Sequence, residues 1–271
     1  MRGSTPVRTD DRLALEERRE ATRHDALYRQ RPASGLALAA DDWERFDRLS
    51  VPSTAYQASV HRLGPVAGLR ILDAGCGDGW LSVILAKRGA RVDGLDVSRE
   101  AVAMACSRAE ANGVTRVTNF AVGSLYAMPF GDAAYDAVIG QAVLHHCGDK
   151  ARAARELQRV LRPGGRAVFA EPLGNSLWLE RLRRFVPVPS EAPDDPDQWR
   201  TQFKHRDLAA LRPWFEIEVE EFHLLSRLDR LITAPRFLDW MRRIDQRLLR
   251  HLPPLRWFAR SIVIECRRPP S

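Results

Sequence analysis

The feature that most constrains the fold is a glycine-rich break at the end of an apolar run, in residues 71–80, Ile-Leu-Asp-Ala-Gly-Cys-Gly-Asp-Gly-Trp. The apolar residues predict a buried strand, and a helical pattern begins directly after the glycines. Glycine at alternate positions permits backbone angles closed to other residues and removes the Cβ atoms that would keep a ligand off the main chain. This stretch therefore predicts a strand, a tight turn and a helix, with a ligand lying against bare backbone.

The spacing of the glycines separates two ligand classes, dinucleotides and S-adenosylmethionine. A dinucleotide fingerprint requires its third glycine where this chain has Trp80, but the third glycine here is Gly79, one place early. A second strand, Arg91–Leu95, is followed by Asp96, about 20 residues past the first glycine, where a carboxylate can accept hydrogen bonds from ribose hydroxyls. The spacing fits a dinucleotide less well than it fits S-adenosylmethionine.

Several further motifs follow the glycine turn in a fixed order. They are Leu72–Gly79, Gly94–Ser98, Met128–Phe130, Tyr135–Val138, Val143–His146 and Leu161–Gly165. In these motifs the chain resembles the class I S-adenosylmethionine-dependent methyltransferases, small-molecule type, from about Leu69 to Glu171, roughly 40% of the chain. The resemblance implies an α/β fold with a Rossmann-like seven-stranded sheet in the order 3-2-1-4-5-7-6. It also implies an antiparallel last strand and helices on both faces of the sheet. To this fold the chain is expected to add N-terminal helices and helical cap insertions.

The alternation of strand and helix after residue 67 predicts parallel strands joined by right-handed crossovers. Ser98 and Asp149 are predicted to cap the helices that follow them. Later strands are predicted at Arg116–Val122, Tyr135–Gln141, Arg166–Ala170, Phe215–Phe222 and Arg260–Cys266, and helices at Asp10–Arg31, Thr54–Leu63, Leu173–Arg184 and His205–Arg212. Trp43, Phe46 and Leu49 also recur at helical spacing.

The domain organisation follows from these elements. We expect an N-terminal helical lid or extension over residues 1–66, a cofactor-binding core over 67–171 and a cap insertion over 172–203. The core continues over 204–223, a helical insertion covers 224–258, and the last core strand and tail cover 259–271. The second insertion departs from the family's plain terminal hairpin. It is expected to form a lid, with an interfacial helix or a dimer contact as alternatives for its arginine-rich pattern.

Candidate cofactor residues lie where the strands of an open sheet end. They are Asp73, Gly75, Cys76, Gly77, Gly79, Trp80, Asp96, Val97, Ser98, Gly123, Ser124, Leu125 and Gln141. Asp73 is expected either to anchor the cofactor amino group or to fix the glycine turn. Ser124 stands where the resembled family commonly has an acidic residue that meets the adenine amino group, so a hydroxyl would accept that bond without charge assistance.

The catalytic candidates follow the fourth and fifth strands. His145 or His146 could act as a base, with packing or capping as the alternative, and Glu171 could orient substrate. Tyr28, Tyr56, His205 and His223 are weaker candidates. The tryptophans outside the core, Trp178, Trp199, Trp214, Trp240 and Trp257, line an apolar pocket or are plain core. No metal site is expected, because the four cysteines show no paired spacing.

The sequence therefore predicts methyl transfer to an oxygen, nitrogen or carbon atom of a small, partly apolar acceptor, such as a specialised metabolite. A peptide, protein or RNA methyltransferase and a non-catalytic binding scaffold remain alternatives. The net charge is +7, and nearly all of the positive charge comes from arginine side chains. No nucleic-acid partner is expected from this pattern. Unpaired cysteines and the lack of a long apolar run predict a cytoplasmic protein without a membrane span, and a homodimer is an open alternative.

Overall fold

A computed structural model describes residues 9–31, 35–38, 51–175, 202–224 and 235–270. Its centre is a seven-stranded sheet in the order β3-β2-β1-β4-β5-β7-β6. The strands are β1 (Arg70–Ala74), β2 (Arg91–Asp96), β3 (Thr118–Val122), β4 (Tyr135–Gln141), β5 (Leu161–Pro172), β6 (Glu216–Phe222) and β7 (Ser261–Arg267). The strand order predicted from the sequence is confirmed.

The first five strands pair in parallel, and β7 pairs antiparallel with both β5 and β6. The insertion between β6 and β7 does not disturb their hairpin, since the register runs from Glu216 opposite Arg267 to Phe222 opposite Ser261. The parallel strands all end at one edge of the sheet, so the segments that follow them form a single rim.

The helices flank the sheet and connect its strands. They are α1 (Thr9–Arg29), α2 (Val51–Leu63), α3 (Trp80–Lys87), α4 (Arg99–Ala111), α5 (Lys150–Val160) and α6 (Pro235–His251), with short 3-10 segments at Leu144–His146, His205–Ala210 and Pro253–Phe258. Both predicted caps are confirmed, because Ser98 accepts the amide of Ala101 and Asp149 accepts the amide of Arg152. No helix within these ranges is long and apolar enough to cross a membrane.

Most predicted elements agree with the structure to within three residues at each end, and two differ by more than that or in type. The fifth strand begins at Leu161 rather than Arg166, because Leu161 pairs with Tyr135 of β4 and the residues after it pair with Arg268. The Gly164 amide donates to the Arg268 carbonyl, and the Arg268 amide donates to the Gly165 carbonyl. Chain beyond β7 thus pairs with the segment that the sequence marks as a turn. The helix predicted at 205–212 is a 3-10 segment ending at Ala210. The helix predicted at 173–184 falls mostly, and the one around Trp43 wholly, outside the described residues.

The sheet is buried on both faces, as expected for parallel strands. Leu72, Val138 and Phe169 pack on one face, while their chain neighbours Ile71 and Val168 pack on the other. Helix α2 covers the second face with buried Ala55, Val60 and Leu63. The described part of the N-terminal region is therefore packed on the sheet and shares its core.

Candidate functional site

The glycine turn after β1 is built as the sequence predicts, with φ of +72° at Gly75, +52° at Gly77 and +74° at Gly79. The amides of Gly75 and Cys76 donate to the Leu95 carbonyl over 2.7 and 3.0 Å, which ties the turn to the end of β2. These positive angles strain any residue other than glycine. The turn is therefore fixed in place before any ligand binds.

The glycines have different neighbours. A Cβ at Gly75 would lie 2.5 Å from a Val143 methyl group, and one at Gly79 would lie 2.7 Å from the Ala105 Cβ. A Cβ at Gly77 would lie 2.5 Å from the Tyr28 hydroxyl of α1. Gly75 and Gly79 are thus required by close packing within the protein, and only Gly77 faces a side chain of the N-terminal helix.

Asp96 supports the turn and keeps acceptor capacity. Its Oδ2 accepts the Gly77 amide and its Oδ1 accepts the Ser98 amide, both at 2.9 Å, and the residue is half-buried. A carboxylate offers about four lone-pair sites, so roughly two remain after these bonds. That remaining acceptor capacity fits the two hydroxyl donors of a ribose diol beside the turn.

Asp73 is buried beneath the turn. Its Oδ2 accepts the Ser82 hydroxyl of α3 at 2.6 Å. Burial raises the pKa of Asp73 to about 7, and the Ser82 hydrogen bond partly opposes that rise. The contact joins the strand before the turn to the helix after it, which supports the expectation that Asp73 fixes the turn. Its role toward a cofactor amino group stays a prediction.

The remaining predicted cofactor residues also lie at the rim, several of them already bonded within the protein. The Gly123 amide donates to the Asp96 carbonyl. Ser98 donates to Asp25 of α1 at 2.6 Å, and Gln141 donates to the Tyr56 carbonyl and the Ser59 hydroxyl of α2 over 3.4 and 3.3 Å. Trp80 and Val97 are half-buried, and Cys76 and Leu125 are buried. Burial raises the pKa of the Cys76 thiol.

Ser124 contacts the carboxylate of Glu17, a residue that the sequence reasoning missed. Its hydroxyl accepts the Tyr126 amide at 2.9 Å and donates to Glu17 of α1. The position after β3, which lacks an acidic residue in its own segment, thus has one beside it. The sequence gives no signal for this contact beyond the expectation of an N-terminal helical lid or extension.

Several contacts with the rim lie on one polar face of α1, at helical spacing. Glu17 accepts a hydrogen bond from Ser124, and Asp25 accepts one from Ser98. Glu20 lies beside His146, and the Tyr28 hydroxyl lies beside Gly77. Leu13 is the buried apolar residue of the helix. Hydrogen bonds and ion pairs therefore contribute much of the docking of α1 along the carboxyl-end rim. Burial raises the pKa of the Tyr28 phenol well above its ordinary value.

Glu171, at the end of β5, is bonded to the segment after β4. It is buried and accepts the amides of Val143, Leu144 and His145 over 3.0, 2.8 and 3.3 Å. Its Oε2 also lies 2.7 Å from Nδ1 of His145, whose side chain is 9% exposed. An ionised carboxylate only accepts, so Nδ1 carries the proton and a neutral ring keeps its lone pair on Nε2.

His146 faces α1. Its Nδ1 lies 3.5 Å from Oε2 of Glu20, which also lies 3.5 Å from Nε2 of His24. Burial lowers the pKa of His146, and the adjacent imidazoles of His146 and His24 lower the pKa of Glu20. His145 and His146 therefore have different partners, although their rings are 3.9 Å apart.

The other candidates are less clearly placed. His205 bonds with Asn175 and Glu221, and His223 with Ser261, in the region of β6 and β7. Trp240 and Trp257 are more than half exposed, at 56% and 53%, while Trp214 is half-buried against the core. Trp178 and Trp199 fall outside the described residues. The described tryptophans do not form one pocket wall.

Comparison with known proteins gives a consistent result. A protein-family model described as "Methyltransferase domain" matches residues 72–169. An O-methyltransferase, rstn1, of Aspergillus nomiae is 35% identical over 133 residues, covering 48% of this chain and 59% of its own. A ubiquinone biosynthesis O-methyltransferase of Methylocella silvestris is 35% identical over 150 residues, covering 54% of this chain and 56% of its own.

A solved structure gives a longer match. The S-adenosylmethionine dependent methyltransferase of Mesorhizobium loti aligns with a TM-score of 0.55 and 26% identity over 79% of this chain and 97% of its own. By contrast, the chain spans less than two thirds of the length of those two curated relatives. The match to the family model, residues 72–169, runs from β1 into β5.

Proposed function

Because this chain belongs, through residues 72–169, to the class I S-adenosylmethionine-dependent methyltransferase family, we propose that it transfers a methyl group to a small, partly apolar molecule. The acceptor atom is an oxygen, nitrogen or carbon. The observation that carries the proposal is the preformed glycine turn with Asp96 beside it, still able to accept hydrogen bonds. The names of the relatives support a small hydroxylated acceptor, since two are O-methyltransferases.

The residues at the rim can each be assigned to a part of S-adenosylmethionine. Asp96 would hold the ribose hydroxyls and Gly77 would lie against the cofactor, while Ser124 and Glu17 would meet the adenine amino group. When bound, the cofactor supplies an electrophilic methyl group on a sulfonium. Tyr28 and the polar face of α1 would cover the turn and exclude water. Alignment of this kind can supply roughly 7–11 kcal/mol of the barrier reduction.

His145 is the residue that we assign to proton removal from a hydroxyl acceptor. Glu171 holds Nδ1 of its ring and so leaves Nε2 to accept a proton, and the same carboxylate fixes the three amides around it. A base held in this way contributes about 10²–10⁴ in rate where the acceptor must lose a proton. Glu171 is a positioning residue, because its oxygens are bonded to the protein.

Glu17 provides a testable adenine contact. Replacing Glu17 with glutamine should weaken binding of S-adenosylhomocysteine by about tenfold, because one charge-assisted hydrogen bond is worth roughly 1.5–3 kcal/mol. Titration calorimetry measures the loss. Glu16→Gln, one residue earlier on α1, is the matched control and should bind like the wild type.

An analogue whose purine ring lacks the amino group sharpens this test. The wild type should lose affinity for that analogue, whereas Glu17→Gln should hardly distinguish it from S-adenosylhomocysteine. An equal penalty for the analogue in both proteins would show that Glu17 does not meet the amino group and acts only through the docking of α1.

The methyltransferase proposal is tested by binding and by transfer. Calorimetry with S-adenosylmethionine and S-adenosylhomocysteine should give micromolar affinity, about 8 kcal/mol. Labelled methyl groups should then pass to members of a panel of small hydroxyl compounds, with total RNA and a peptide mixture as separate arms. Label in RNA or peptide alone would establish the macromolecular alternative. Binding without label in any arm would favour a scaffold, and no binding would refute the proposal.

We also propose a cytoplasmic location without nucleic-acid partners. The four cysteines Cys76, Cys106, Cys147 and Cys266 are free, which supports a reducing compartment. A homodimer stays an open prediction. Equilibrium sedimentation of the purified chain distinguishes monomer from dimer.

A further inference from the structure

Three side chains with metal-binding atoms meet where α1 crosses the segment after β4. They are Glu20 and His24, one turn apart on α1, and His146. Their ligand atoms all lie within 4.8 Å of one another, and each residue is half-buried. We propose that they bind a divalent transition-metal ion of the zinc type, which clamps α1 to the rim of the sheet. This proposal replaces the expectation of no metal site.

The distances match the geometry of such an ion. Glu20 Oε2 lies 3.5 Å from His24 Nε2 and 3.5 Å from His146 Nδ1. Zinc bonds of about 2.1 Å in a tetrahedron place neighbouring ligand atoms roughly 3.4 Å apart. These pairs are therefore too far apart for good hydrogen bonds and close to the separation that a shared ion needs.

Two of the three ligand atoms also lack a hydrogen-bond partner among the described residues. Glu20 Oε2 and His146 Nδ1 are both buried, and neither makes a hydrogen bond within the part of the chain that the structure describes. Buried polar atoms are normally hydrogen-bonded, so two unsatisfied atoms that face each other indicate a ligand between them. Two imidazoles and a carboxylate suit zinc and its neighbours in the first transition row better than magnesium or calcium.

One cation competes for the site. An Arg23 guanidinium nitrogen lies 3.8 Å from Glu20 Oε2. An ion bound to Glu20 would displace this contact between two half-buried side chains, which is too long for a hydrogen bond. Three protein ligands leave a fourth position open for water. Because one ligand lies on the sheet rim and two on α1, binding would hold α1 over the glycine turn.

The test uses the full chain after metal removal, with zinc chloride as the probe. Calorimetry should show one ion per chain at micromolar or tighter affinity. His24→Gln and Glu20→Gln should each weaken binding by at least about 100-fold, since a removed ligand costs at least as much as a removed supporting contact. His61→Gln, an exposed histidine on α2, should bind like the wild type. Arg23→Gln, on the same face of α1, should bind equally well or more tightly.

A second readout reports the clamp itself. Zinc should raise the Tm of the wild type and slow hydrogen exchange in α1, and it should do neither in His24→Gln. No binding by the wild type would overturn the proposal. Undiminished binding in both ligand variants would also overturn it, and would point to the exposed Cys106 instead. None of these measurements requires methyl transfer, so the proposal stands or fails separately from the proposed function.

Discussion

Replacing Asp96 with alanine should lower the affinity for S-adenosylhomocysteine by at least about 100-fold. The variant would lose the two hydrogen bonds that the carboxylate accepts from the ribose hydroxyls, and each charge-assisted hydrogen bond is worth roughly 1.5–3 kcal/mol. The change also leaves the amides of Gly77 and Ser98 without their acceptor, so the turn loses part of its support. Calorimetry measures the affinity, and urea unfolding shows whether the chain still folds.

Two further variants separate charge from folding. Asp96→Asn keeps the shape of the side chain and should still lose at least about tenfold in affinity, since the ribose bonds lose their charge assistance. Asp93→Asn is the matched control on the same strand, where the carboxylate bonds with Arg70 and Tyr135. It should change stability while leaving affinity within about twofold of wild type. Near-wild-type affinity in Asp96→Ala would remove the assigned cofactor site.

Much of the fold can be predicted because its signals are local. A few neighbouring residues are enough to predict the apolar strand before Gly75, the strand ending in Asp96 and the caps at Ser98 and Asp149. The extension of β5 could not be predicted in this way. It depends on Gly164 and Gly165 pairing with Arg268, about 100 residues away in the chain, and no local pattern reports that contact.

The same difference between local and long-range contacts decides which parts of the candidate site can be predicted. The glycine turn and Asp96 follow from spacing, because the amides of Gly75, Cys76 and Gly77 all donate to Leu95 and Asp96 at the end of β2. The contacts of the polar face of α1 do not follow from spacing. Glu17, Asp25 and Tyr28 have their partners on the rim of the sheet, far away in the sequence. Spacing of four residues between Glu20 and His24 was the available signal for the proposed metal site. It becomes specific only when His146 supplies the third ligand.

Glu171 and His145 show how geometry assigns roles that sequence leaves open. The sequence makes both residues candidates, but only the structure shows that the carboxylate is fully engaged by three amides and one imidazole. A group so engaged has little capacity left for substrate. His145 instead gains a defined tautomer from the contact, which is what a general base requires.

Replacing His145 with alanine should therefore reduce kcat about 10²–10⁴-fold on a hydroxyl acceptor found in the transfer screen. Affinity for S-adenosylhomocysteine should stay within about threefold, because the cofactor contacts are assigned to other residues. Single-turnover rates with labelled cofactor measure the chemical step. His61→Gln is the matched control and should leave turnover unchanged.

Glu171→Gln tests positioning separately from proton transfer. Its amide keeps the shape of the side chain but turns one donor toward the surrounding amides or the imidazole, so the ring of His145 loses its fixed tautomer. We expect kcat to fall with KM nearly unchanged, and Glu171→Asp to recover part of the loss. A KM effect without a kcat effect would make Glu171 a substrate contact. Full turnover in His145→Ala would leave alignment as the source of catalysis, with no base at this position.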